Sequence, residues 1–146
     1  MISHHDLNKI MLIGAGPNIV GAVSELDLMA KQAIDAFLED EVQVVLVNSN
    51  PATVASDHRP GVKVYLEPMT LSFLKRILRM EEPDAIVTAF GSTVGLRLTR
   101  ELFDDGILTE MGIKLLTVNP KALHLNSQAH EMTFLKEAGL PIAQSW

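Results

Sequence analysis

A doubly wound α/β sheet, mainly parallel and five-stranded with helices on both faces, is the fold this sequence predicts. Three observations carry the prediction. Short apolar runs alternate with helical stretches in the order β-α-β-β-α-β-α-β-α, the order of parallel strands joined by right-handed crossovers. The run VQVVLV, Val42 to Val47, is β-branched and nearly all apolar, as in a strand covered on both faces. The first apolar run ends in a glycine-bearing loop leading into a helix, the junction at which such sheets meet ligands.

The elements follow in order. Lys9 to Ile13 is the first strand, after a loosely held tail of residues 1–8. A helix from about Ser24 to Glu39 places Leu26, Met29, Ala30, Ala33, Phe37 and Leu38 along an apolar stripe, with Ser24 as its N-cap. Val42 to Val47 forms the second strand and Val62 to Leu66 the third. Thr70 caps a helix reaching Met80, Pro83 and Asp84 mark a turn, and Ala85 to Ala89 is the fourth strand. A helix is expected from about Thr93 to Phe103 and a fifth strand over Ile113 to Thr117. Helical segments begin at Pro120 and Ser127, and Gly139 stops the last one.

With 146 residues, 47% of them apolar, the chain suits one domain with its own core, here assigned to residues 9–146. It contains no cysteine, so neither disulfides nor thiolate metal sites are available, and a reducing cytoplasm fits that composition. No apolar run approaches membrane-spanning length, and a soluble protein is expected. A net charge of −6 disfavours nucleic acid. The one basic cluster, Lys75, Arg76 and Arg79, reads as a solvated helix face. His124 and His130 lack the i, i+4 spacing of a zinc pair, and no serine sits in a nucleophile-elbow context. Asp104 and Asp105 read as a solvated helix end, and the methionines Met11, Met29, Met69, Met80, Met111 and Met132 as core or boundary filling.

The candidate site lies where the carboxyl ends of the strands converge: Gly14 to Gly21, Asn48 to Thr53, Phe90 to Thr93 and Val118 to Pro120. Gly14 and Gly16 allow a sharp turn whose N–H groups, with the next helix dipole, suit phosphate or carboxylate. The glycines at 14, 16 and 21 depart from the dinucleotide register, and the second strand ends in Asn48 instead of a ribose-binding acid. Both facts argue against a nicotinamide enzyme. Asn48 and Asn50 either contact a ligand or tie together two loops at the top of the sheet, with Pro51 fixing the turn.

The phrases GAGPNIVG, SELD, VVLVNSNPATVASD, YLEP and EEPDAIV, in that order, resemble the opening domain of the carbamoyl phosphate synthase large subunit. The resemblance runs from about Lys9 to Ser145, and NSNPAT is its most specific element. It implies a Rossmann-like pre-ATP-grasp domain, the layer preceding the ATP-grasp lobes. Gly16-Pro17-Asn18 is similar to the second homologous half of that subunit and Asn50-Pro51-Ala52-Thr53 to the first, which is favoured.

The family reaction makes carbamoyl phosphate from bicarbonate, ammonia and two ATP, through carboxyphosphate and carbamate, with a glutaminase small subunit as the usual ammonia source. The cofactors it implies are ATP and magnesium, held mostly by the ATP-grasp lobes. The positions assigned toward cofactor are Gly14, Gly16, Pro17, Gly21, Asn48, Asn50 and Gly91, and none is assigned to catalysis. Several departures weaken ATP contact. Gly91-Ser92-Thr93-Val94 lacks the family's glutamine, Ser127 and Gln128 replace an acid-arginine pair, Ala22 replaces a glutamine, and the region Met29-Ala30-Lys31 replaces serine-glycine. A neutral amide offers phosphate neither permanent charge nor a bidentate fork. The chain alone is therefore expected to bind ATP weakly and to catalyse nothing. It is read as a structural and interface layer against ATP-grasp lobes or a glutaminase. The alternatives are a stand-alone scaffold, with a homodimer as its expected form, and a nucleotide or anion sensor using the glycine loop.

Overall fold

The structure, a computed structural model, describes residues 7–16, 24–88, 92–119, 122 and 128–141. Its elements are β1 (Lys9–Ile13), α1 (Ser24–Glu39), β2 (Gln43–Asn48), a 3-10 turn (Val54–Ser56), β3 (Val62–Leu66), α2 (Leu71–Glu81), β4 (Ala85–Val87), α3 (Ser92–Asp104), α4 (Ile107–Glu110), β5 (Lys114–Leu115) and α5 (Gln128–Glu137). The strands form one five-stranded sheet in the order β3-β2-β1-β4-β5, and every pairing is parallel. The fold is thus the doubly wound, Rossmann-like α/β sheet. Its order reverses beside β1, between the β2 and β4 sides.

Alternation along the strands divides the core in two. Met11, Ile13, Val45, Val47 and Ile86 face α2 and α3, packing on Leu74, Ile77, Leu78, Leu98 and Leu102, with Ile107 and Leu108 of α4 closing the layer. Ile10, Leu12, Val44, Leu46 and Val87 face the other way, onto Ala30 and Ile34 of α1. Ile10 to Ile13 are all fully buried, because β1 is central and covered on both sides. Burial of residues of this size drives folding, at roughly 1.5–3 kcal/mol per large side chain.

Some boundaries differ from expectation for identifiable reasons. The α1 stripe turns on Ala30 and Ile34, while Met29 is 47% exposed; Met80 is likewise exposed, so neither methionine fills core. Ser24 is the first residue of α1 instead of its cap. Thr70 does occupy the N-cap of α2, but its hydroxyl faces that of Ser72 and makes no capping bond. β5 spans two residues because its pairing stops at Ile86, leaving Leu116 with a single further bond to the same strand. The short α4 was unanticipated: four residues following Gly106 at φ +85° are too few to show a helical period. Gly139 ends α5 as expected, at φ +69°, with the Leu140 N–H returning to the Leu135 carbonyl. The fourth strand stops at Val87, short of the expected end, with Thr88 already outside it. Ala89 and the expected helix starts at Pro120 and Ser127 lie outside the described residues, as do residues 1–6. Leu7 and Asn8, expected in the loose tail, are fastened: Leu7 packs on the core, and the Asn8 N–H donates to Asp84 Oδ2 at 2.7 Å.

The basic trio on α2 is not simply solvated. Lys75 pairs with Asp105 Oδ2, tying α2 to the end of α3, so the acidic pair there is engaged as well. On the other side of the molecule Arg59 and Lys31 share Asp35, fastening the loop after the 3-10 turn to α1. The hydrogen bond from Lys31, the charges of Lys31 and Arg59, and the hydrogen bond from Arg59 hold the Asp35 carboxyl below the ordinary range.

Candidate functional site at the carboxyl edge of the sheet

β1 and β2 run in register, Ile13 opposite Val47, so the residues after them meet. Asn48 closes β2 with no exposure at all, and its side chain lies across the start of the glycine loop. Its Oδ1 accepts from the N–H groups of Ser49 at 2.9 Å, Gly16 at 3.1 Å and Asn50 at 3.4 Å. One acceptor thereby joins the loop after β1 to the turn after β2. This is the loop-tying arrangement that the sequence left as one of two readings.

The glycines fit this bond. A Cβ on Gly14 would lie 2.8 Å from Asn48 Cγ, so only glycine lets the amide come so close. Gly16 sits at φ +83° with open space around it, so its requirement is conformational and not steric. Gly14 N–H donates to the Val47 carbonyl at 2.8 Å and Gly16 N–H to Asn48. Both donors that the sequence offered to an anion are therefore engaged within the fold.

Asn50 is buried and makes a local turn, its Oδ1 accepting from the Ala52 N–H at 3.0 Å. The Thr53 and Ser56 hydroxyls lie 3.0 Å apart and complete this loop above Ala55, which is in the core. Of the candidate positions, Gly14, Gly16, Asn48 and Asn50 thus converge on one edge. Pro17, Gly21 and Gly91 lie outside the described residues.

Several polar atoms on this edge, or on the helix turn above it, are buried without a hydrogen-bond partner: Asn48 Nδ2, Ser49 Oγ, Thr88 Oγ1 and Asp27 Oδ1. Thr88 follows β4, whose Val87 pairs with Leu12, and so stands beside the end of β1. Its N–H donates to Thr117 Oγ1 at 3.2 Å, bringing in the end of β5. Asp27 lies in the first turn of α1, and burial pushes its carboxyl above the ordinary range. In the sequence Asp27 stood out only as part of the phrase SELD, and nothing in the pattern around Thr88 marked it. Orphaned polar groups of this kind each cost about 1–3 kcal/mol.

The opposite edge carries a satisfied cluster. Glu81 accepts from Lys63, from the Tyr65 hydroxyl and, at 3.5 Å, from Lys9, whose ammonium also reaches the Glu81 carbonyl at 2.9 Å. Burial alone would raise this carboxyl, but bonds from Lys63 and Tyr65 and the charges of Lys63 and Lys9 outweigh it and hold the group below its ordinary range. It ties α2 to β1 and β3, an arrangement that the sequence did not reveal because its members are spread from Lys9 to Glu81. Among the described residues no three His, Asp or Glu side chains converge as a metal site, and no helix is long and apolar enough to cross a membrane.

Three solved structures similar to this chain come from Bordetella bronchiseptica. The enzyme WbmG in complex with NAD shares 12% identity at a TM-score of 0.48, over 73% of this chain and 36% of that one. Its complex with NAD and UDP gives 12%, 0.47, 75% and 36%. The enzyme WbmH in complex with NAD+ gives 11%, 0.42, 65% and 36%. The chain spans about a third of the length of these enzymes. Among protein families, residues 6–125 match the carbamoyl phosphate synthase preATP-grasp domain.

Proposed function

The chain belongs to the carbamoyl phosphate synthase pre-ATP-grasp domain family, and on that premise we propose that it is the structural and interface layer of a large-chain-like synthase. Its carboxyl edge is covered by ATP-grasp lobes, with a glutaminase as the further partner. The parent reaction joins bicarbonate and ammonia with phosphoryl groups from ATP, and this chain supplies none of its catalytic groups.

One observation carries the proposal: buried polar side-chain atoms without partners on Asn48, Ser49 and Thr88, at the edge where a doubly wound sheet meets its ligands or neighbouring layers, and on Asp27 in the first turn of α1. An edge complete in itself would satisfy those groups. The engagement of Gly14 and Gly16 N–H groups supports an architectural loop over an anion cradle, since phosphate would have to displace bonds already made. Transfer of a phosphoryl group also needs cations fixed on the triphosphate, and the lobes are the expected source of those.

The test is bicarbonate-dependent ATP hydrolysis, measured for the chain alone and after it is joined to ATP-grasp lobes. The proposal expects no turnover alone and turnover in the joined protein, weakened by Asn48→Ala. Turnover by the chain alone would overturn it.

A further inference from the structure

Away from the sheet edge, α3 carries a second polar constellation. Thr93, Val94, Leu96, Arg97 and Arg100 line a groove of about 300 Å³. That volume stands at the lower end of small-molecule sites. Thr93, Arg97 and Arg100 follow one another at four and three residues, so they share a face of the helix, and long side chains there lean toward its N-terminal end.

The two guanidinium groups are incompletely used. Arg97 Nη1 donates to Glu101 Oε1 at 2.8 Å while its side chain stays 57% exposed. Arg100 Nε is shielded from water and has no hydrogen-bond partner, with Asp104 Oδ2 standing 3.7 Å away. That distance is an ion pair and not a hydrogen bond. Both acids sit one turn toward the C-terminus, leaving Thr93 as the polar group at the other end of the row. A desolvated guanidinium N–H without an acceptor is costly, and a turn of the part-exposed Arg100 side chain toward an incoming oxygen would relieve it.

We propose that this groove binds a small phosphate monoester. Its phosphoryl oxygens lie between Arg97, Arg100 and the Thr93 hydroxyl, and its apolar part rests on Val94 and Leu96. Two guanidinium forks and a hydroxyl exceed what the two oxygens of a carboxylate can accept, whereas three phosphoryl oxygens match them. The apolar residues in the lining distinguish an ester from free phosphate.

Phenyl phosphate is the probe, titrated into the full chain up to about 10 mM, the weak end of specific binding, with backbone amides and arginine Nε–H groups followed by NMR. Saturable shifts at residues 93–100 and at Arg100 Nε–H are expected. Inorganic phosphate and benzoate should each bind about tenfold more weakly, lacking the ring and the third oxygen respectively. The double variant Arg97→Gln/Arg100→Gln, checked for an unchanged circular dichroism spectrum, should lose at least about tenfold in affinity. Absence of shifts at Arg100, equal binding of benzoate, or undiminished binding by the folded double variant would each overturn the proposal.

Discussion

Replacing Asn48 by alanine removes a side-chain acceptor that joins the β1 and β2 loops, and its cost follows from the bonds it makes. Oδ1 serves three backbone N–H groups, two of them on the buried residues Gly16 and Asn50. A neutral hydrogen bond contributes about 1 kcal/mol net, and a buried N–H left alone costs about 1–3 kcal/mol. Two bonds of good length and one long one therefore amount to about 4 kcal/mol. Loss of the orphaned Nδ2 returns about 1 kcal/mol of that, leaving about 3 kcal/mol. For a chain of this size the midpoint should fall by about 10 °C. Calorimetric or circular dichroism melting measures it, with Ser49→Ala as the control. Ser49 Oγ is buried without a partner, so its removal should be neutral or stabilise by up to about 1 kcal/mol. Equal losses in the two variants, or a loss below about 1 kcal/mol for Asn48→Ala, would refute the assignment of Asn48 as the tie.

Other expected outcomes rest on the same contacts. Gly14→Ala should cost about 1–3 kcal/mol because its methyl meets the buried Asn48 side chain, and chemical denaturation should find it less than additive with Asn48→Ala, which removes the obstructing Cγ and Nδ2 and leaves only Cβ at 3.0 Å. Glu81 has a depressed folded pKa, so its stabilising contribution is present above the unfolded value and is lost as pH falls through the folded one. Denaturation at neutral and acidic pH should thus show Glu81→Gln destabilised by about 1–2 kcal/mol near pH 7, discounted because Lys63 is 62% exposed, with the gap closing in acid. Asp27 has the opposite sign: its folded pKa is raised, so its ionised form costs stability above that pKa and the cost disappears as pH falls. Asp27→Asn should therefore be more stable than the parent at neutral pH and equal to it in acid; greater stability of the parent at pH 7 would contradict this.

Much of the fold was legible because its signals are local. The run ending VVLVN marks a strand buried on both faces, and the structure buries Val44 to Asn48. Lys9 to Ile13 and Val62 to Leu66 appear with the expected bounds, since turn residues delimit them. β5 and α4 were harder: two paired residues and one helical turn carry too little periodicity for a pattern to register. At the site, the glycines and amides could be read, but the direction of Asn48 Oδ1 could not, because it depends on strand register. Thr88 and the cluster around Glu81 acquire their surroundings only when distant strands pair. The row Thr93, Arg97 and Arg100 did have a signal, the 4-and-3 spacing on a foreseen helix, though its incomplete pairing is a matter of geometry.

Amide hydrogen exchange on the chain, alone and joined to ATP-grasp lobes, tests the interface account most directly. The account predicts a slowing of exchange at Gly16, at the backbone N–H groups of Asn48, Ser49, Asn50, Ala52 and Thr53, and at Thr88, where the unpartnered edge becomes covered. Unchanged exchange at those positions in the joined protein would contradict it.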